Sequence, residues 1–276
     1  MICHIQDAEI YYKMIGEGKP IVMLHGCSID HRAMKGCMEP IFQQHTGYKR
    51  IYIDLPGMGK SKASKRINSS DRLLDIIASC IEKIIPNENF LLVGESYGGY
   101  LSRALVSKIP HKIDGLLLIC PVVIAEHEKR TVPSTSLMKS DDTFLNTLSL
   151  AERREFCELA VIANEYTYNR YKEEIKPGLT VADDAFIENL QNNYRLTFSE
   201  NEQKYINPVL VLAGRQDIVV GYQDLLNVIE DYPRATFAVL DMAGHNLQIE
   251  QPELFDSLVK EWLVRVNTGT SLNDVF

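Results

Sequence analysis

The stretch that most constrains the chain is Val93-Gly94-Glu95-Ser96-Tyr97-Gly98-Gly99, because of what stands on either side of it. Before it, Phe90-Leu91-Leu92-Val93 is a short apolar run opening just after Pro86-Asn87, the pattern of a buried strand. After it, Tyr100 to Val106 carries apolar residues at helical spacing and the pattern stops near Pro110. A strand that turns into a helix at Gly-x-Ser-x-Gly holds its serine at the apex of a strained turn, hydroxyl exposed. The glycines sit where strand and helix pass close. Ser96 is therefore the candidate nucleophile. The competing reading, a glycine-rich turn with an ordinary surface serine, is decided by the rest of the chain.

Other apolar runs repeat the strand pattern: Ile21–Leu24, Ile51–Ile53, Leu116–Ile119, Val209–Leu212 and Thr236–Leu240. Ile5 to Ile15 alternates weakly, and Gly16-Glu17-Gly18-Lys19-Pro20 after it predicts a hairpin. A helix is predicted from about Ser70 to Ile85, capped by Ser69 or Ser70, with Leu73, Leu74, Ile77, Ile81 and Ile84 on one face. Another is predicted from Pro252 to Val266. Continuous apolar strands alternating with helices predict an α/β fold, a mostly parallel sheet with helices on both faces.

Residues 124–205 break that rhythm. They contain a polar stretch, 126–142, then helical patterns near 149–175 and 181–197, and no convincing strand. The second pattern opens on Thr180-Val181-Ala182-Asp183, which resembles a capping box. The expected organisation is a core of 1–123 and 206–276 with an inserted helical cap, 124–205. The cap aromatics, Tyr166, Tyr168, Tyr171, Tyr194, Phe156, Phe186 and Phe198, are expected to pack it onto the core, a subset lining an apolar pocket.

Composition bounds the partners. A net charge of −8 argues against nucleic acid or an anionic membrane surface, and no apolar run reaches the roughly 20 residues of a membrane span. The N-terminal residues carry neither a basic nor an apolar leader pattern, so a cytoplasmic protein is expected. Cys3, Cys27, Cys37, Cys80, Cys120 and Cys157 form no C-x-x-C pair and read as reduced thiols. The histidines include no H-E-x-x-H pattern, so neither a metal nor another cofactor is expected. Gly59-Lys60-Ser61 imitates the end of a phosphate-binding loop, but Asp54 stands where that loop needs glycine.

A serine hydroxyl needs a base to become a nucleophile, and the base needs an orienting acid. Ligands of such sheets bind beyond the carboxyl ends of the strands. His245, just past the last strand, and Asp217, just past the one before it, are placed for these roles, with Asp241 competing for the acid. Four motifs then follow in order: Leu24-His25-Gly26, Asp54-Leu55-Pro56-Gly57-Met58-Gly59-Lys60-Ser61, Gly94-Glu95-Ser96-Tyr97-Gly98-Gly99, and Gly214-Arg215-Gln216-Asp217 with Gly244-His245.

In these the sequence resembles the α/β-hydrolase superfamily over nearly its whole length apart from the cap. The resemblance implies a Ser96–His245–Asp217 triad and an oxyanion hole made by the backbone N–H groups of Cys27 and Tyr97. It also puts His25 and Gly26 at the rim of the substrate site. It implies a hydrolase of a small-molecule carboxylic ester or thioester acting through an acyl-enzyme. Relatives that cleave carbon–carbon bonds, or catalyse elimination, with the same triad are the alternative, as are members that bind a ligand without turnover. The Gly-Gly-Pro-Gly stretch of ring-cleavage hydrolases is replaced here by Gly26-Cys27-Ser28-Ile29.

Overall fold

The computed structural model describes residues 1–134, 136–197 and 204–268. The chain opens with β1 (Ile2–Ile5), β2 (Ala8–Ile15), β3 (Lys19–Leu24), α1 (His31–Phe42) and β4 (Tyr48–Ile53). It continues through β5 (Lys62–Ala63), α2 (Ser70–Ile84), β6 (Phe90–Glu95), α3 (Tyr97–Lys108) and β7 (Ile113–Ile119). A mainly helical segment follows: β8 (Lys139–Ser140), α4 (Asp142–Leu145), α5 (Leu150–Cys157), β9 (Ile162–Ala163), α6 (Glu165–Arg170), a π-helical turn (Tyr171–Ile175), α7 (Lys176–Val181) and α8 (Asp184–Gln191). The sheet resumes with β10 (Val209–Gly214) and β11 (Ala235–Leu240), and α9 (Leu247–Glu250) and α10 (Pro252–Thr268) close the described chain.

The nine-stranded sheet runs β1-β2-β4-β3-β6-β7-β10-β11, with β5 beside β2. From β4 across to β11 every pairing is parallel, and only the β1–β2, β2–β4 and β2–β5 pairings are antiparallel. The fold is the mostly parallel α/β architecture that the apolar strands call for, since β6 and β10 are buried along their whole length. β3 is flanked by β4 on one side and β6 on the other. The chain's direction of travel reverses there, and a crevice opens at the carboxyl ends of β3 and β6.

Several local expectations are corrected. The hairpin joins β1 to β2 through a turn with Asp7 at φ 72°, whereas the Gly16–Pro20 turn leads to no hairpin, because β4 lies between β2 and β3. α1 is an addition: Gly36 and Pro40 mask its pattern, yet Ala33, Met34, Cys37, Met38 and Ile41 make a buried face, and Asp30 caps it by accepting Arg32 N–H. The helical stretch near 149–175 is several short helices, because Ser149 with Glu152 and Asn164 with Thr167 each form a separate capping box. Thr180 and Val181 end α7, and it is Asp183 that caps α8 by accepting Phe186 N–H. Two short strands, β8 and β9, pair inside a segment where none was expected. Phe198 lies outside the described residues.

α2 follows its pattern, with Ser69 accepting Arg72 N–H. The phosphate-loop mimic is a braced turn: Lys60 N–H reaches Asp54 Oδ2 at 2.8 Å and Ser61 Oγ donates to Asp54 O at 2.6 Å. Among the described residues no helix is long and apolar enough to cross a membrane.

Candidate active site

Ser96 joins β6 to α3 with φ 52° and ψ −115°, a region that L-residues enter only at a cost of about 1–3 kcal/mol. The surroundings hold it there. Its N–H donates to Ile119 O at 2.9 Å, and its carbonyl accepts Tyr100 N–H and Val122 N–H, both at 3.1 Å. Any side chain on Gly98 would collide with the Leu24 and His25 carbonyls, so only glycine lets α3 pass so close to the end of β3.

The hydroxyl that this turn presents meets a histidine and a carboxylate. Ser96 Oγ lies 2.9 Å from His245 Nε2, and His245 Nδ1 lies 2.9 Å from Asp217 Oδ2. Asp217 Oδ1 accepts the N–H groups of Val219 and Val220 at 2.8 and 3.1 Å. Burial works against its charge, but His245 and these amides hold its pKa below the ordinary carboxylate value. Burial likewise disfavours the His245 cation, yet Asp217 and then Glu95 outweigh it and raise the imidazole to about 9. Asp241, the competing acid, accepts Gln216 Nε2–H at 2.7 Å on the surface, and His245 Nδ1 faces Asp217 instead.

Cys27 follows β3, and Tyr97 is the first residue of α3, where a helical N–H has no intrahelical acceptor. Among the described residues neither backbone N–H has an acceptor, and Cys27 lines the cavities that border Ser96. Gly26 also lines the apolar cavity, but His25 does not, which corrects the expectation of a rim residue. His25 is fully buried; its Nδ1 donates to Gly26 O at 2.7 Å and its Nε2 accepts Leu55 N–H at 2.9 Å. Burial lowers its pKa, and the neutral ring ties the turn after β3 to the turn after β4. Asp30, His31 and Asp54 have metal-ligand spacing, but Asp54 accepts His31 N–H and Nδ1–H, both at 2.8 Å, while Asp30 binds Arg32. Their polar atoms brace α1.

Two cavities meet at Ser96. One, of about 270 Å³, is mainly apolar, walled by residues that include Ile29, Phe156, Leu159, Ile175, Val219 and Ile249, with His245 at its edge. The other, of about 920 Å³, is a polar cleft bordered by Asp71, Glu126, Arg130, Asn193, Arg195 and Thr197, among others. Of the aromatics singled out in the sequence, Phe156 and Tyr171 reach the apolar cavity and Tyr194 the polar cleft. Tyr168 packs on Phe144 and Phe156, and Tyr166 lies under Arg170.

Sequence reasoning gave no role to two glutamates. Glu250 accepts Gly244 N–H and Val161 N–H, both at 2.6 Å, tying the histidine loop to the helical segment. Glu95, beside Ser96, places Oε1 3.7 Å from His245 Nε2. Its charge within a buried elbow was the visible signal, since an acid so placed needs a reason.

A family model described as the alpha/beta hydrolase fold matches residues 19–252. The chain belongs to the α/β-hydrolase family. As an α/β-hydrolase it is similar to the crystal structure of an alpha/beta superfamily hydrolase from Oenococcus oeni PSU-1, at 34% identity and a TM-score of 0.87, covering 95% of this chain and 97% of that one. It is 24% identical to a pimeloyl-[acyl-carrier protein] methyl ester esterase of Nitrosomonas europaea, over 91% of this chain and 98% of the esterase. It is 25% identical to a 2-hydroxymuconate semialdehyde hydrolase of Pseudomonas putida, over 78% of this chain and 74% of that protein.

Proposed function

We propose that this α/β-hydrolase is a serine hydrolase that cleaves a small-molecule carboxylic ester or thioester. The observation that carries the reading is the unbroken relay from Ser96 Oγ through His245 to Asp217, two contacts of 2.9 Å, opening onto a cavity. In this reading Ser96 Oγ attacks the scissile carbonyl while His245 Nε2 takes its proton. Asp217 keeps Nδ1 protonated and stabilises the imidazolium. The N–H groups of Cys27 and Tyr97 receive the oxyanion; losing one such donor costs about 3–4 kcal/mol of barrier. His245 returns the proton to the leaving group, then activates the water that releases the acid.

The helical segment 124–205 serves as the cap: it supplies Phe156, Leu159 and Tyr171 to the apolar cavity and Tyr194 to the polar cleft. At about 30 Å³ for each water-sized group, the apolar cavity takes roughly six to nine heavy atoms, which suits a small acyl chain.

Labelling with a fluorophosphonate probe, beside Ser96→Ala and His245→Ala, followed by a p-nitrophenyl ester series, tests the reading. Labelling lost in both variants, with turnover of short esters, is the expected result. A wild type that does not label where a control hydrolase does overturns it. Labelling without ester turnover favours the second reading, hydrolysis of a carbon–carbon bond, for which the resemblance to the 2-hydroxymuconate semialdehyde hydrolase is the support. It is also the result that a ligand-binding member without turnover would give.

A further inference from the structure

Four carboxylates stand in the wall of the apolar cavity: Glu95, Glu155, Glu158 and Glu250. Three are accounted for. Glu155 binds Tyr171 Oη–H and Lys176, Glu250 binds two backbone N–H groups, and Glu158 is exposed to solvent. Glu95 is different. It is only 2% exposed, and among the described residues its Oε2 has no hydrogen-bond partner. Its polar neighbours are the Gly26 amide, which favours the carboxylate, and His245 Nε2, 3.7 Å from Oε1 and beyond hydrogen-bond reach.

A buried carboxyl left unpaired is costly, and native structures keep such groups where something else completes them. Burial pushes Glu95 up to about 7 against the pull of His245 and of the Gly26 amide, so near neutral pH it can accept a hydrogen bond as the carboxylate or, once protonated, donate one. Its position says what completes it. A methyl group built on Gly26 would lie 2.5 Å from Glu95 Oε2 and 3.0 Å from Ser96 Cβ. The turn after β3 is thus packed directly on the carboxyl and on Ser96, and Glu95 and Ser96 both border the apolar cavity, so the carboxyl stands beside the place of an acyl group attached to Ser96.

We propose that Glu95 is a substrate-recognition residue, its carboxyl receiving a hydroxyl or ammonium group carried near the carbonyl on the acyl half of the substrate. The inference rests on the serine-esterase reading above. The acyl half is the one concerned because it stays bonded to Ser96 through both half-reactions, which suits the smaller apolar cavity. The leaving group departs and water enters, which suits the larger polar cleft. The substrate class is then a short hydroxyacyl or aminoacyl ester or thioester.

The test compares methyl butyrate with methyl 2-hydroxybutyrate, methyl 3-hydroxybutyrate and methyl 3-aminobutyrate, following released acid at constant pH. At least one donor-bearing ester is expected to exceed methyl butyrate in kcat/KM by about 10- to 100-fold, the worth of a hydrogen bond to a charged group. The hydroxyl and ammonium arms decide which donor is read. In Glu95→Leu the advantage is expected to collapse towards unity. Methyl butyrate used as well as, or better than, all three by wild type overturns the proposal without any variant, and so does an advantage that survives Glu95→Leu. Fluorophosphonate labelling of the same preparations separates the two levels. A protein that labels at Ser96 and shows no donor preference sinks the recognition role alone. One that neither labels nor hydrolyses any ester sinks the esterase reading with it.

Discussion

Glu250 Oε2 accepts the backbone N–H of Gly244 at 2.6 Å, one residue before His245. Its other oxygen takes Val161 N–H at the same distance, so one buried carboxylate fixes the histidine loop and docks the helical segment beside it. Glu250→Ala strands both amides. With hydrogen bonds to a charged group worth about 1.5–3 kcal/mol each, the substitution is expected to lower stability by about 3 kcal/mol in urea unfolding. Ester turnover should fall as well, because His245 loses its fixed position. Glu250→Gln keeps one acceptor and is expected to lie between Ala and wild type in both measurements.

The strain at Ser96 leads to the opposite outcome for stability. Its φ of 52° and ψ of −115° disfavour any residue with a Cβ, and glycine adopts them freely. Ser96→Gly is therefore expected to abolish turnover while raising stability by about 1 kcal/mol, part of the relieved strain being offset by glycine's larger chain entropy. Ser96→Ala abolishes turnover without that gain, because it keeps the Cβ. Thermal unfolding of the two variants side by side is the measurement, and a Ser96→Gly protein less stable than Ser96→Ala contradicts the strain argument.

The pH profile follows from the groups around His245. Only the neutral imidazole can accept the Ser96 proton, so kcat/KM falls on the acid side as His245 is protonated. Asp217 and Glu95 favour the cation and Arg130 opposes it, which sets the acid limb well above the ordinary histidine value. Glu95→Gln removes an anion 3.7 Å from Nε2, so the protonated form loses support and the limb moves to lower pH, by about half to one unit. The limb belongs to the His245–Glu95 pair, since burial pushes Glu95 up to about 7. Asp217→Asn is expected to cost about 10⁴-fold in kcat above the acid limb, because the amide no longer enforces the Nδ1–H tautomer, and to move the limb itself to lower pH, because the anion that favours the His245 cation is gone. A Glu95→Gln limb displaced upward runs against the assigned sign.

Most of the sheet was legible because β6, β7 and β10 are apolar on both faces, a pattern that needs no tertiary information. The contacts among Ser96, Asp217 and His245 were legible for a related reason: each residue follows a strand at the same edge of a parallel sheet. What escaped was set by long-range contacts. The pairing of β2 with β4 depends on a strand inserted later in the chain, so the Gly16–Pro20 turn misled. α1 was hidden by Gly36 and Pro40, which local propensity counts against a helix although the buried face of Met34, Met38 and Ile41 supports one. His25 looked like a site residue because it adjoins Gly26, and only the fold reveals Leu55 N–H and Gly26 O holding both its nitrogens. The importance of Glu95 and Glu250 lies in which neighbours they have, or lack, and spacing does not encode that.

The size of the acyl group is open to direct manipulation. Ala160 is a small residue in the wall of the apolar cavity, next to the Val161 N–H that Glu250 holds. Ala160 packs in a cluster with Phe156 and Tyr168 and borders the cavity, so the three carbons that Ala160→Leu adds have the adjoining void to enter in place of a closed core. At about 30 Å³ for each water-sized group, the added atoms take up roughly a third of a cavity of about 270 Å³. In a p-nitrophenyl ester series the variant is therefore expected to lose hexanoate relative to acetate by at least about tenfold, since a chain that no longer fits must stay in water or force the wall to move. Leu179→Ala, at a half-exposed position of the same wall, is expected to shift the preference the other way, towards longer chains. If both variants keep the wild-type chain-length profile, the acyl group does not lie in this cavity.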